Sequence, residues 1–299
     1  MSIPEYRKIE RRLAASRMIA EPRTALFYDR NNLRRIKLPM LYPIMELAPL
    51  RNVRSMEDVL KMQGKLLAIM GPIFRNDTGV LERAFWLLNK VATGKDKDNA
   101  TPMPAHPTNV ARKVVEGNGN LYRFSAEQLL ITMAAAALHD SGEDCGLPPK
   151  DIAETLGGAR GPIIAEIVRL VTHDTHISNG GTINHYGEKL EEIYFSRNNG
   201  AKVIEYLDNE ENMGRLVEEG ASRDSELVHN RSLKVGAHVN SLLAVADSQI
   251  GTTSRQLNIG GMVKRLIDQT VTFANHFGLE GLAREVKQAA GNYGYSLAT

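Results

Sequence analysis

Histidine and carboxylate side chains recur at separated places in the middle of the chain, and these residue types bind divalent cations. His139 and Asp140 are adjacent at the end of the apolar stretch LLITMAAAAL, His106 lies upstream in AHPTNV, and Asp208 follows in YLDNEENM. Mixed imidazole and carboxylate ligands leave coordination positions of a cation open for water, and the cation lowers the pKa of that water towards neutrality. The pattern predicts a hydrolytic metal centre with these four residues as ligands.

Two further carboxylates follow the His-Asp pair within the string HDSGED. Glu143 stands four residues after His139, and Asp144 stands four residues after Asp140. Residues four apart share one face of a helix, so both carboxylates can face the same cavity as the pair. A cation offsets the cost of bringing so many acidic and imidazole groups together, which favours a metal centre over a simple helix end.

A second aspartate competes with Asp208 for the fourth ligand position. Asp247 in AVADSQIG has Gly251 four residues later, whereas Asp208 has Asn212 one helical turn further on. The preference for Asp208 follows from the family resemblance given below, because the motif D-x-x-x-N is present at Asp208 and Asn212 and absent at Asp247.

The string VTHDTH adds three more polar residues, His173, Asp174 and His176. They can form a second metal site, or they can orient the first ligands or cap a helix. We favour the orienting or capping interpretation and leave the second site as an alternative.

Helices are predicted to position all of these residues. Apolar residues recur at helical spacing and short alternating runs are scarce, so the chain is expected to be all-α. Ser125 and Gln128 form a capping box ahead of the helix that ends at His139. Ser55 is predicted to begin another helix, over MEDVLKMQGKLLAIM.

Composition restricts the partners and the compartment. A formal charge of +2 argues against nucleic acid, which needs concentrated Lys and Arg. The polar N-terminus and the absence of a run of about 18 apolar residues argue against a signal peptide and a membrane span. The single cysteine, Cys145, cannot form an internal disulfide, so a cytoplasmic setting is expected.

The basic strings RKIERR and NNLRRIK offer a surface for a protein partner or a second copy, although solvated helix faces are commoner.

Four motifs stand in one order along the chain: HP-x-x-VA, HD-x-x-ED, VTHD and D-x-x-x-NM. Together they resemble the hydrolase domain of RelA/SpoT homologues within the HD superfamily, over residues 80 to 220. The resemblance implies an all-α domain that binds one Mn²⁺-like ion through the four ligands named above. It also implies that Glu143 and Asp144 position or activate the attacking water. The same ligand set suits Fe²⁺, Zn²⁺ or Ni²⁺.

The resemblance also implies a nucleotide substrate. In that family it is guanosine tetra- or pentaphosphate, which loses its 3′-pyrophosphate, while some single-domain relatives remove a phosphate from NADPH. Asn212 resembles the family's ribose-contacting asparagine. Lys95 and Lys97 are the nearest counterparts of basic loop residues that touch the nucleotide, although solvated loop lysines are an equal alternative.

Two departures from the family pattern leave the substrate open. Glu205 stands where the family has a lysine, and NMGRL replaces N-M-R-T-L, which moves an arginine to Arg215. Arg215 remains a candidate substrate-binding residue. The alternatives are another HD nucleotide phosphatase or phosphodiesterase, and a degenerate regulator that binds a nucleotide without turnover. The intact ligands and carboxylates argue against the regulator.

The expected organisation has three parts. Residues 1–78 form an N-terminal helical extension, residues 79–220 the HD hydrolase core, and residues 221–299 C-terminal helices that pack on the core. The C-terminal part is too short and too helical in pattern for an alarmone-synthetase domain.

Overall fold

Helices supply nearly all the regular secondary structure of the described part of the chain. The computed structural model describes residues 55–74, 77–94, 101–173, 183–218, 220–223, 225–248 and 256–295. Within these residues the only β-pairing is two isolated bridges, from Tyr122 to Asn118 and to Leu257. The prediction of an all-α fold is therefore confirmed. No described helix combines the length and apolarity needed to cross a bilayer.

The helices follow one another through short connections. In chain order they are α1 (Met56–Met70), α2 (Gly79–Val91), α3 (Ala105–Glu116), α4 (Ala126–Leu138), α5 (Ser141–Cys145), α6 (Pro149–Leu156), α7 (Arg160–Val171), α8 (Ile183–Phe195), α9 (Asn199–Glu218), α10 (Glu226–Ser248), α11 (Ile259–His276) and α12 (Glu280–Asn292).

Side-chain caps begin two of these helices where the sequence predicts them. The Ser55 hydroxyl accepts a hydrogen bond from the Asp58 backbone N–H at the start of α1. At the start of α4, Ser125 and Gln128 make both hydrogen bonds of the capping box. Each cap satisfies a backbone N–H that has no partner inside its helix, so these two boundaries are set by local sequence.

The helices that carry the predicted ligands occupy the centre of the molecule. All residues of α4 from Leu129 to Leu138 are buried, and the alanines 134–137 let neighbouring helices approach closely. α9 packs against α3, α4, α7 and α11. Near its start, a Cβ on Gly200 would lie 3.1 Å from Thr132 Oγ1, which is closer than most Cβ contacts, so glycine favours this close approach. Such tight packing restricts the positions of side chains that project from α3, α4 and α9.

Later helices continue the same packing. α10 contacts α8 and α9, while α11 packs against α9, α10 and α12. Residues 1–54, which include most of the predicted N-terminal extension and both basic strings, lie outside the described residues.

Candidate metal centre

Four predicted ligands meet at one place, although they are up to 102 residues apart in sequence. His106 Nε2 lies 2.8 Å from Asp208 Oδ1 and 3.5 Å from Asp140 Oδ2. His139 Nε2 lies 3.1 Å from Asp140 Oδ1 and 3.3 Å from Asp208 Oδ1. The two imidazole rings meet edge to face, with centroids 5.3 Å apart. Two imidazoles and two carboxylates therefore converge on one small volume.

The four candidate ligands come from three places in the helices. His106 is in the first turn of α3, and Asp208 is in the middle of α9. His139 and Asp140 lie at the junction between α4 and α5, where the chain leaves the regular α4 geometry. This junction lets adjacent side chains reach one point, which a regular helix does not favour because it turns them about 100° apart.

The ring of His139 is oriented by the backbone. Its Nδ1 lies 2.8 Å from the carbonyl oxygen of Ala136, to which it donates. This bond fixes the proton on Nδ1 and directs Nε2 towards the two carboxylates, which is the arrangement found in metal-binding histidines. Nδ1 of His106 is buried without a hydrogen-bond partner in the described part of the chain, so the contact of Nε2 with Asp208 and the surrounding packing orient that ring.

In the cluster, the carboxylates shift the pKa of an imidazole and the imidazoles shift the pKa of a carboxylate. Burial alone would lower the pKa of His139, but Asp140 and Asp208 outweigh it and raise that pKa well above the ordinary value. Burial would raise the pKa of Asp208, yet hydrogen bonds from His106 and His139 hold it well below the usual range. The cluster therefore holds anionic carboxylates that need positive charge beside them.

A divalent cation fits the spacing of these atoms. Ligand atoms about 2.1 Å from a shared ion are roughly 3.0 to 3.4 Å from one another. Ligand atoms of His106, His139 and Asp140 lie within 4.8 Å of one another, and Asp208 Oδ1 joins them at the distances given above. The imidazoles are buried, whereas Asp140 and Asp208 are 29 % and 21 % exposed. One side of such an ion would therefore remain open to water or a phosphate oxygen.

Asn212 holds Asp208 from one helical turn away. Its amide nitrogen donates to Asp208 Oδ1 at 2.7 Å and to the Asp208 carbonyl oxygen at 3.0 Å. Its amide oxygen accepts from Arg215 at 3.5 Å. The geometry gives Asn212 and Arg215 a role in orienting a ligand, and the predicted contacts of both residues with substrate stay predictions.

Replacing Asn212 with alanine is expected to weaken cation binding by about 10- to 100-fold, because Asp208 loses its orienting donor. Isothermal titration with Mn²⁺ measures this change. Asn199→Ala is the matched control, since Asn199 is on the same helix and donates to Gln256 at 2.9 Å. An unchanged dissociation constant in Asn212→Ala, with the control also unchanged, would contradict the orienting role.

Glu143 and Asp144 both lie on the short helix α5, next to the ligand pair. The Asp144 backbone N–H donates to the Asp140 carbonyl oxygen at 2.8 Å. Asp144 lines a narrow cleft together with His106 and Asp140. The charge of Glu143 raises the pKa of His173. Of the two carboxylates, Asp144 is the one that lines the cleft.

The cleft at the centre is not the widest concavity of the described residues. A groove of about 390 Å³ lies between α9 and α11, and its walls include Met213, Phe273, Lys264 and Asp268 but no histidine or cysteine. We take the narrower cleft as the candidate site because the imidazoles and carboxylates converge there.

Several sequence candidates lie elsewhere. Asp247 is exposed near the end of α10, and its carboxylate has no hydrogen bond from any described residue. The Asp208 carboxylate, in contrast, accepts a hydrogen bond from Asn212. Lys95, Lys97, Asp174 and His176 lie outside the described residues.

A second polar network, which the sequence did not reveal, lies beside the centre. Glu205 is 3 % exposed, and its carboxylate accepts from Tyr186 at 3.1 Å and from Asn209 at 3.2 Å. His173 Nε2 lies 3.3 Å from Glu205 Oε2. Position 205, where the family has a lysine, therefore holds a buried glutamate whose carboxylate is hydrogen-bonded by neighbouring side chains. The three- and four-residue spacing of Glu205, Asp208 and Asn209 was the available signal.

The family resemblance stated from the sequence depends on four short motifs. Three of them supply the four side chains that meet at the centre, and the fourth, VTHD, supplies the histidine beside Glu205. Comparison of the chain with protein-family models, with curated proteins and with solved structures gives no match.

Proposed function

We propose that the protein is a metal-dependent phosphohydrolase that cleaves a phosphate or pyrophosphate ester of a nucleotide. The observation that carries the proposal is the convergence of His106, His139, Asp140 and Asp208, with one side of the cluster open. A bound divalent cation supplies positive charge for phosphate oxygens and a water of lowered pKa. Mn²⁺ is the proposed ion.

The chain's own residues do the remaining work of the proposed reaction. His106 and His139 hold their Nε2 atoms towards the cluster, and Asn212 fixes the carboxylate of Asp208. Asp144 lines the cleft and Glu143 lies nearby, so either carboxylate can accept the proton that the attacking water loses. Guanosine tetraphosphate is the first substrate proposed, because the motifs and their order resemble the alarmone hydrolases.

The test is release of phosphate or pyrophosphate from guanosine tetraphosphate, NADPH and ordinary nucleotides, with Mn²⁺ or with a chelator. We expect turnover of at least one nucleotide with Mn²⁺, and loss of turnover to background with chelator and in Asp140→Ala. Turnover that persists without metal, or full activity in Asp140→Ala, would reject the proposal. Tight nucleotide binding without any turnover would favour the regulator instead.

A further inference from the structure

His173 is held in a fixed orientation by a buried carboxylate and an aromatic ring. Its Nε2 points to Glu205 Oε2 at 3.3 Å, and its ring packs on Tyr186 with centroids 4.9 Å apart. Glu205 is buried and is itself held by Tyr186 and Asn209. The carboxylate therefore cannot turn away to solvent, and the imidazole keeps Nε2–H directed at it.

The other ring nitrogen of His173 is available for chemistry. Nδ1 makes no hydrogen bond to any residue in the described ranges, and 21 % of the side chain is exposed. A buried carboxylate behind an imidazole, with the opposite nitrogen free, is the arrangement by which enzymes orient a histidine for proton transfer.

Two elements connect His173 to the metal centre. The preceding residue, Thr172, packs on α5, where a Cβ on Gly142 would lie 3.1 Å from Thr172 Oγ1. α5 begins directly after Asp140 and carries Glu143. Glu205 lies one helical turn before Asp208 on α9. His173 and the ligands are therefore supported by the same two helices.

We propose that His173 is the catalytic proton donor to the leaving group of this reaction, and that Glu205 is its positioning residue. The inference rests on the function proposed above. When water attacks phosphorus, the phosphorus–oxygen bond to the sugar breaks and its electron pair goes to the sugar oxygen. His173 Nδ1 gives a proton to that oxygen, while Glu143 or Asp144 takes the proton lost by water. The products are an alcohol and a phosphate or pyrophosphate, and no redox partner is needed.

The charges around His173 favour its protonated form. Burial is the largest single influence and lowers its pKa, but the charge and hydrogen bond of Glu205 on α9 and the charge of Glu143 on α5 together outweigh it. Lys234 on α10 opposes them, and Tyr186 on α8 packs against the ring without charge. The net effect is a raised pKa.

The first test compares two leaving groups in the Mn²⁺-loaded protein. A sugar hydroxyl leaves poorly without a proton, whereas 4-nitrophenolate leaves readily. His173→Gln is expected to lower kcat by roughly 100-fold or more on the nucleotide ester, but by less than about 10-fold on 4-nitrophenyl phosphate. His185→Gln is the matched control, because His185 on α8 is 42 % exposed and its ion pair with Glu188 at 3.7 Å lies on the surface of the same helix. It should leave both rates unchanged.

The pH profile supplies a second readout of the same role. A proton donor is active only below its pKa, so wild-type kcat should fall on the alkaline side of the pH profile. This alkaline limb should be absent in His173→Gln. Glu205→Gln removes the charge that raises the pKa of His173 and should move the limb to lower pH. An NMR titration of His173, with Zn²⁺ in place of Mn²⁺, should show the same downward shift without any turnover.

These outcomes separate the two proposals. Equal losses on both esters in His173→Gln would overturn the donor role and leave hydrolysis intact. A His173 pKa that Glu205→Gln does not change would overturn the positioning role of Glu205. Failure of the wild-type protein to cleave either ester with Mn²⁺ would overturn the proposed function, and the donor role with it.

Discussion

Asp208→Asn is expected to abolish binding of Mn²⁺ at micromolar concentrations and to reduce phosphate release from the best nucleotide to background. Asp208 Oδ1 lies within 3.3 Å of both histidine Nε2 atoms. The substitution keeps the size of the side chain but removes its negative charge. Two imidazoles and a single carboxylate then share the cation, and an amide oxygen is a much weaker ligand than a carboxylate. Isothermal titration and metal analysis after dialysis should show one bound ion per chain in wild type and none in the variant.

Asp247→Asn provides the matched control for this experiment. Asp247 was the competing fourth ligand, and it is exposed near the end of α10. Its substitution should change neither the metal content nor the rate. The opposite result, with metal lost in Asp247→Asn and retained in Asp208→Asn, would show that the fourth ligand had been assigned to the wrong helix. A thermal melt of both proteins separates loss of a ligand from loss of the fold.

Local sequence predicted the fold class and two helix starts because the interactions that set them act within one or two helical turns. Ser55 and the Ser125–Gln128 capping box satisfy backbone groups three residues away, so neighbouring residues are enough to identify them. The choice of Asp208 over Asp247 also depended on a residue one helical turn away, Asn212. Asn212 stands one turn after Asp208 and donates to its carboxylate at 2.7 Å.

The residues that sequence reasoning missed depend on contacts between distant segments. Glu205 was noticed only as a departure from a family lysine, because nothing near it in sequence shows that it meets His173, 32 residues earlier. The close approach of Gly142 to Thr172 is equally invisible, since it depends on how α5 packs on the end of α7. Pattern reasoning therefore identified the four side chains that converge, while the neighbours that orient them depend on three-dimensional packing.

The same limit applies to a buried ion network between α3, α9 and α11. Lys113 Nζ lies 3.0 Å from Glu210 Oε1 and 3.0 Å from Glu211 Oε2. Arg265 also donates to Glu210 at 2.7 Å, and Asn109 donates to Glu211 at 3.1 Å. In the sequence these residues look like the solvated charges of a helix surface, yet Lys113, Glu210 and Glu211 are all buried. Lys113 is on the same helix as His106, and the two glutamates follow Asp208 on α9. The network therefore ties together the two helices that carry His106 and Asp208.

Lys113→Met is expected to lower the free energy of unfolding by about 3 to 5 kcal/mol, because it leaves buried carboxylates without their shared cation. Urea denaturation measures the loss. Lys150→Met is the matched control: Lys150 pairs with Glu154 at 3.7 Å, but the two side chains are 81 % and 66 % exposed, so its loss should stay below about 1 kcal/mol. Equal, small losses in both variants would show that the buried network contributes little.

The pH dependence of unfolding distinguishes loss of charge pairing from loss of packing in this variant. Burial raises the pKa of Glu210, but Lys113 and then Arg265 outweigh it, so the folded-state pKa lies below the ordinary value of 4.5. A carboxyl group with a lowered pKa stabilises the fold above its unfolded pKa, and this stabilisation is lost as the pH falls through its folded pKa. Wild type should therefore lose stability on acidification below about pH 5. Lys113→Met should lose less over the same range, because Glu210 then keeps only Arg265 as a cationic partner. If the free energy of unfolding falls with pH in parallel for the two proteins, the destabilisation comes from lost packing around the Lys113 side chain and not from its lost charge.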